Sequence, residues 1–466
     1  MNGKRVTFTD VLRVREFRTL WLADAQSAIG DQIGRVALSV LVFERTSSAI
    51  LTALTYALTF LPAVIGGALL SSLADRLPRR RVMIGCDLAR AVLFGGMSLP
   101  GVPLAVLCLL LVLAVLTEAP FSAAESATLP SILPDQEQFV VGTGLKSITF
   151  QTAQLAGFAG GGLAIALVGA RLGLAFDAAT FLFSAGLLAY GVRARPAAAL
   201  PADPDGGPRR SSLTTGFWLI FTNPKLRCLV GLAWLAGLYV VPEGVAAPYA
   251  SKVAHGATPV GLLMAAMPFG TALGTYLFVR WMPAKLRSAL MGPLGMASGL
   301  PLVFCLMTPP LPVSLLLWML SGLFFCYQVQ VASEFIRAVP DHQRGQAVGI
   351  ASSGLLAVQG IGILLGGWVA EWAGVGWSVC GAGLLGMAIA LVLSGMWSRV
   401  RSAPPDAPAA TETAEVAEVS QTEAAQTSAP SESRRGVRRG LVNAGPLKPA
   451  SQLNPANQPQ QHRHRA

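Results

Sequence analysis

Twelve long runs of apolar residues, each followed by a short polar connection, organise the chain between residues 19 and 398. They fall at about 19–43, 49–71, 82–99, 103–124, 139–169, 172–192, 226–250, 257–279, 288–307, 311–332, 345–370 and 375–398. At 1.5 Å per residue, about 20 residues of helix cover the ~30 Å hydrocarbon layer of a bilayer. The pattern therefore predicts an all-α integral membrane protein with twelve transmembrane helices. With 53% hydrophobic and only 13% charged residues, too little polar surface remains for a soluble protein of this size. The polar first sixteen residues and Asp24 in the first run give no signature of a removable signal peptide.

The stretch Arg193–Ser212, rich in Pro, Gly and Ala, is too polar to span and divides the chain into two halves of six runs. The halves repeat one another. Gln154, Gly157, Gly161 and Gly162 in span five read Q-x-x-G-x-x-x-G-G, and Gln359, Gly362, Gly366 and Gly367 repeat the pattern in span eleven. Gly144 and Ser147 match Gly349 and Ser352 at the same offset, and Pro134-Asp135 matches Pro340-Asp341 upstream. Such an internal repeat is a hallmark of secondary transporters. The expected architecture is two pseudo-symmetric six-helix bundles, 1–192 and 226–398, joined by a cytoplasmic linker at 193–225. Residues 399–466 turn polar, then basic at Ser433–Gly440, and read as a disordered cytoplasmic tail. The repeated glycines are expected to let helices approach closely, with sliding at those contacts an addition to packing.

Charge sets the orientation. Arg76, Arg79, Arg80 and Arg81 follow span two, Arg193, Arg195, Arg209 and Arg210 follow span six, and Arg280, Lys285 and Arg287 follow span eight. The opposite loops carry only Arg45, Arg171, Lys252 and His255. Basic loops stay inside, so both termini are expected in the cytoplasm and the protein in the inner or plasma membrane. The net charge of +11 is mainly this topology signal, and no nucleic-acid partner is expected.

The six cysteines lie inside or at the edges of spans and the four histidines are scattered, so neither a disulfide framework nor a metal site is indicated. Gly142–Ser147 lacks the adjacent Gly-Lys of a phosphate loop because Leu145 intervenes. No catalytic motif or cofactor fingerprint appears, so the chain is not expected to be an enzyme or to hold a cofactor. Work has to come from ion gradients, each charge crossing ~100 mV yielding about 2.3 kcal/mol.

The ionisable residues within spans are the candidate machinery. A charge facing lipid at mid-depth costs about 2.5–3.5 kcal/mol, so each has to face protein or a water-filled cavity. Asp24, Asp31 and Arg35 share one stripe of span one. Asp31 and Arg35, four apart, read either as a structural ion pair or as a proton-coupling or substrate site, and Asp24 has no such neighbour. Glu118 in span four reads equally as a proton carrier or as one side of a salt bridge, and for Glu125 the salt bridge is favoured, with Lys146 a partner for either. Glu243, between Pro242 and Gly244 and on one face with Tyr239, reads as a gate or cation contact, or as an exposed charge near the outer surface. Phe121, Trp234, Tyr239, Tyr327, Gln328 and Gln330 are candidates to line a cavity for a bulky, partly apolar substrate, with plain packing the alternative for the aromatics.

The loop after span two, Leu73-Ala-Asp-Arg-Leu-Pro-Arg-Arg-Arg81, resembles the G-x-L-A-D-R-x-G-R-R signature of the major facilitator superfamily. Asp75, Arg76, Arg79 and Arg80 match it position by position, while Ser71 and Pro78 stand where its glycines are expected. Asp87 and Arg90 in C-D-L-A-R-A, Ser27–Asp31, and Phe176–Ala185 are similar to the branch that includes siderophore exporters and macrolide efflux pumps. In span five, Gly157-Phe158 replaces the Gly-Pro pair common in exporters of that superfamily. The resemblance runs from about residue 17 to 398. It implies a proton-coupled exporter of small amphipathic molecules such as drugs, siderophores or secondary metabolites, acting as a monomer. Asp75, Arg76, Arg79, Arg80, Asp87 and Arg90 would then form a conformational latch, with pure topology control the plainer reading of the arginines. An importer or uniporter on the same fold, and a membrane scaffold or sensor acting through the tail, stay open.

Overall fold

The computed structural model describes residues 6–70, 77–195, 213–340 and 343–402, and the described residues are helical apart from their connections. Span one is Arg15–Thr46 and span two is Ala49–Ala57 followed by Leu61–Leu70. Span three is Arg79–Ser98, and span four is Leu104–Leu116 with Glu118–Ile132. Spans five and six are Gln136–Val168 and Ala170–Gly191. Span seven is broken into Pro224–Trp234, Ala236–Tyr239, Val241–Gly244 and Ala246–Val253. Spans eight and nine are Ala257–Trp281 and Ala284–Val303, the latter extended by a 3-10 turn. Span ten is Leu311–Phe324 with Tyr327–Ala338, and spans eleven and twelve are Arg344–Ala373 and Val375–Ser402. Part of the expected linker, Leu213–Thr222, is helical and packs against span eleven. The signature residues Asp75 and Arg76, the linker residues 196–212 and the tail from 403 lie outside the described residues.

Among the described residues, ten helices are long and apolar enough to cross a membrane. Spans one and three are long enough, at 32 and 20 residues, but less apolar because they carry Asp24, Asp31 and Arg35, and Arg81, Asp87 and Arg90. Span six packs along both of them, so the two charged helices are covered by a neighbour.

Local chemistry sets the helix ends. Asp135 accepts from the Glu137 and Gln138 amides to start span five, and Asn223 accepts from the Lys225 and Leu226 amides ahead of Pro224. At the end opposite the termini, span five turns into span six at Gly169 and span eleven into span twelve at Gly374, with φ of 87° and 97°. Each tight reversal requires a residue without a Cβ.

The repeated glycines occupy matching positions in the two halves. A Cβ on Gly157 or Gly161 would collide with span one at Gln32 or Ile33, and one on Gly362 or Gly366 would collide with span seven at Gly237 or Val241. These four pack each half internally. Gly162 and Gly367 instead face the opposite half. A Cβ on Gly162 would lie 2.8 Å from the Cα of Gly261 in span eight, and one on Gly367 would meet Ala53 and the Ala49 carbonyl of span two. Near the same end, opposite the termini, one carboxylate oxygen of Glu371 accepts from the Ser48 hydroxyl at 3.1 Å and from the Ala49 and Ile50 amides at 2.7 and 3.1 Å. Span eleven thus caps the N-terminus of span two, and the two halves meet at the end opposite the termini.

At the end that carries the termini, Glu16 anchors the exit of span six, accepting from the Arg193 amide and from the Arg195 guanidinium, both at 3.0 Å. Burial works to raise the Glu16 carboxyl, but these partners outweigh it and hold it below its ordinary value of 4.5. A depressed carboxylate stabilises the fold above that ordinary value, and the contribution disappears as pH falls through the lowered one. Detergent-solubilised wild type should therefore melt above Glu16→Gln at neutral pH, and the gap should narrow as the pH is taken below 4.5. Thermal melting also tests the inter-half contact. Gly162→Leu should cost ~1–3 kcal/mol through overpacking, whereas Gly160→Leu, whose Cβ meets nothing within 4 Å, should leave the melting temperature near that of wild type.

Candidate functional site

Several charged residues of the first half lie around one chamber. Asp31 and Arg35 of span one, Arg90 of span three and Glu118 of span four line a chamber of about 50 Å³, room for one or two waters at ~30 Å³ each. Arg90 donates from Nε to the Thr117 hydroxyl at 3.1 Å, and its guanidinium lies 5.1 Å from the Phe121 ring centre and 5.3 Å from that of Phe181. The expected Asp31–Arg35 ion pair is absent among the described residues. Although one helical turn separates the two, the Arg35 guanidinium turns to the Phe60 ring, 5.4 Å from its centre.

Span six completes this cluster. Asp87 is fully buried and accepts from the Ser184 hydroxyl at 2.6 Å. Asp177, also fully buried, lies in a notch that Gly30 and Gly34 leave on span one, where a Cβ at either position would overlap its carboxylate. Its Oδ2 and the Oδ1 of Asp87 have no hydrogen-bond partner among the described residues. The motifs Ser27–Asp31 and Phe176–Ala185 are thus two faces of one contact.

Arg35 also borders a second cavity of about 230 Å³ between the halves. Its wall takes Phe60 from span two, Gln151 and Gln154 from span five, Glu243 from span seven, Phe325 from span ten and Gln359 from span eleven. Glu243 is buried here, which corrects its expected place near the outer surface. The breaks in span seven at Val240 and Val245 bracket it, and its carboxylate accepts from the Tyr56 hydroxyl of the opposite half at 2.8 Å. Tyr239 does not share this face. The same breaks rotate it into the second half, where its hydroxyl donates to the Gly295 carbonyl at 2.6 Å.

Nearer the end that carries the termini, Lys146 bridges Glu125 and Asp24, with Asp24 at 3.5 Å. Asp24 therefore does have a neighbour. Span five passes close enough along Gly157 and Gly161 for Lys146 to reach it across the helix boundary. Lys146 pairs with Glu125 and Asp24, and Glu118 faces the chamber instead.

Of the latch candidates, the described ones bond within their own half. Arg79 donates to the Ala127 carbonyl at 2.7 Å, Arg80 donates to the Leu188 and Ala189 carbonyls, and Asp87 and Arg90 bond to spans six and four. The Leu188 and Ala189 carbonyls lie in the last turn of span six, where an arginine also suits the helix dipole.

The expected aromatic cavity lining is corrected by the same packing. Tyr327 is fully buried and donates to the Leu232 carbonyl at 3.2 Å, Gln328 donates to the Leu232 and Ala233 carbonyls, and the Trp234 indole donates to the Ala351 carbonyl at 3.0 Å. Gln330 donates to Glu334 at 3.1 Å, and Phe121 lies under Arg90. Sequence reasoning passed over Asp177, Tyr56 and the cavity-facing role of Gln154 and Gln359. For Asp177 the signal was a lone carboxylate in a span, and for the glutamines it was their place at the head of the repeat.

Comparison with known proteins fits this architecture. The Major Facilitator Superfamily model matches residues 20–251 and 244–440. The multidrug efflux pump Tap of Mycolicibacterium fortuitum is 27% identical over 369 residues, 74% of this chain and 87% of that protein. Macrolide efflux protein A of Streptococcus pyogenes is 36% identical over 73 residues, 16% of this chain and 18% of that protein. A bacterial homologue of the human lysosomal transporter Spinster, solved in an inward-facing and occupied conformation, superposes with a TM-score of 0.64. At 16% identity it covers 84% of this chain and 98% of that one, a likeness of fold. Two repeated sets of helices around a shared cavity, in a chain matched from residue 20 through both halves, make this multi-pass membrane protein a transporter of the Major Facilitator Superfamily.

Proposed function

We propose that the protein exports small amphipathic molecules across the cell membrane in exchange for protons, by alternating access of the cavity between the halves 1–192 and 226–398. The observation that carries this reading is the position of Arg35, which borders both the charged chamber and the central cavity. A change of charge at Asp31 or Glu118 alters the field on Arg35, and Arg35 in turn faces Glu243, whose bond to Tyr56 joins the halves. Protonation and inter-half contact are thereby linked through one guanidinium. The efflux pumps among its relatives support the outward direction.

With Gly162, Gly367 and Glu371 joining the halves at the outer end, the described state is read as the outward-closed one of this cycle. Arg79 and Arg80 bond to their own half in this state, and a latch built on them would form when the halves close at the end that carries the termini. Both termini are cytoplasmic by the basic loops, and one chain holds a complete cavity, so the transporting unit is a monomer.

Inverted membrane vesicles test the coupling, with tetraphenylphosphonium as probe. Energised vesicles should accumulate it, and nigericin should abolish the accumulation. Asp31→Asn and Glu243→Gln should each reduce gradient-driven accumulation by at least about tenfold while preserving probe binding to purified protein. Accumulation that ignores the proton gradient removes the coupling, and accumulation in right-side-out vesicles alone reverses the direction.

A further inference from the structure

Apart from the Arg35 guanidinium, which stacks on a ring, the polar groups on the wall of the central cavity without a hydrogen-bond partner among the described residues are glutamine amides, and that bears on which molecules it takes. Its two charges, Arg35 and Glu243, are opposite in sign and face one another electrostatically. Glu243 already accepts from Tyr56 at 2.8 Å, and Arg35 lies against the Phe60 ring. The Thr271 hydroxyl is used as well, donating to the Met267 carbonyl at 3.0 Å. Gln154 and Gln359 make no side-chain hydrogen bond among the described residues, although each amide offers two donors and an acceptor oxygen.

The two glutamines are also equivalent. Each heads its copy of the Q-x-x-G-x-x-x-G-G repeat, and each stands fourteen residues before the end of its helix, at Val168 and Ala373. That places them at one depth, about 21 Å from the outer helix ends. The glycines that follow hold span five against span one and span eleven against span seven, so each helix presents its amide to the cavity from its own side. Gln151, one turn inward on span five, has no such counterpart, because Leu356 occupies the matching position.

We propose that Gln154 and Gln359 form a paired amide clamp that selects cargo by its uncharged hydroxyl and carbonyl oxygens, so that the favoured substrates are neutral, oxygen-rich amphipathic molecules. A cation would have to compete with Arg35 and Tyr56 for Glu243. A hydroxyl or carbonyl meets amides that have lost no partner, and the apolar frame carrying it rests on Phe60 and Phe325. Because the glutamines are related by the repeat, rocking the halves exposes the clamp to the other side without changing its chemistry. The inference rests on the transporter reading for its purpose, but the recognition itself is a binding property.

Equilibrium binding to the purified full-length protein in lipid nanodiscs tests it with two probes, forskolin, a neutral diterpene rich in hydroxyl and carbonyl oxygens, and tetraphenylphosphonium, a cation without oxygen. Gln154→Leu and Gln359→Leu should each weaken forskolin binding about 3- to 10-fold, the double variant should multiply the two effects, and tetraphenylphosphonium binding should change less than about twofold. Gln154→Met and Gln359→Met repeat the test with a more flexible side chain, and retained tetraphenylphosphonium binding certifies the fold. The proposal is overturned if wild type fails to bind forskolin, if only one glutamine matters, or if both probes weaken together. Absence of vesicle transport alongside the expected binding pattern would count against the transporter reading and leave the clamp standing.

Discussion

Hydrocarbon tolerates no isolated charge, and that constraint decides how the first half is built. Asp31, Arg35, Asp87, Arg90, Glu118 and Asp177 all lie within spans, and lipid exposure of each would cost kilocalories that a helix bundle cannot spare. Span six answers it by packing along spans one and three, with Gly30 and Gly34 yielding space to Asp177 and Ser184 donating to Asp87. The carboxylates still outnumber the two arginines of the cluster, so they are not all balanced by cations. Carboxylates left without a cation are the groups on which the proposed proton coupling would act.

The second constraint is steric and is written twice. In each half the first two glycines of the repeat seat a helix within its own bundle, and the third brings it onto the other bundle. Backbone-to-backbone contact of this kind leaves no side chains to rearrange, so two helices can close and separate as rigid surfaces. Glu371 adds a polar counterpart by capping span two from span eleven. About 12 Å along the same helices from those third glycines, Gln154 and Gln359 face the cavity between the halves. One nine-residue pattern therefore specifies internal packing, the closed end and the cavity wall.

Much of this was legible in the sequence because it depends on periodicity and repetition. Span positions follow from apolar length, and the glycine roles follow from their spacing. Pairings between distant segments were not legible, since they depend on how far each helix is rotated and how closely it is approached. Asp24 reaches Lys146 only because span five hugs span one. Glu243 looked peripheral because its distance along the chain from the loop suggested the surface, yet the breaks in span seven turn it inward to Tyr56. Tyr239, Trp234, Tyr327 and Gln328 looked like cavity lining, but each satisfies a backbone carbonyl, which is what a polar tip buried in a membrane bundle must find. Arg79 and Arg80 sit at helix ends of their own half, a contact that the signature alone does not distinguish from one across the halves.

The central claim is that the outer and inner ends of the halves open in alternation. Double electron–electron resonance in lipid nanodiscs reads this directly, with one spin-label pair at Arg171 and Trp372 on the outer ends and another at Gln136 and Arg337 on the inner ends, all exposed positions. On adding tetraphenylphosphonium or changing pH, the outer distance should lengthen as the inner one shortens. Two distances that stay fixed, or that move in the same direction under every condition, would mean that the halves do not rock about the shared cavity.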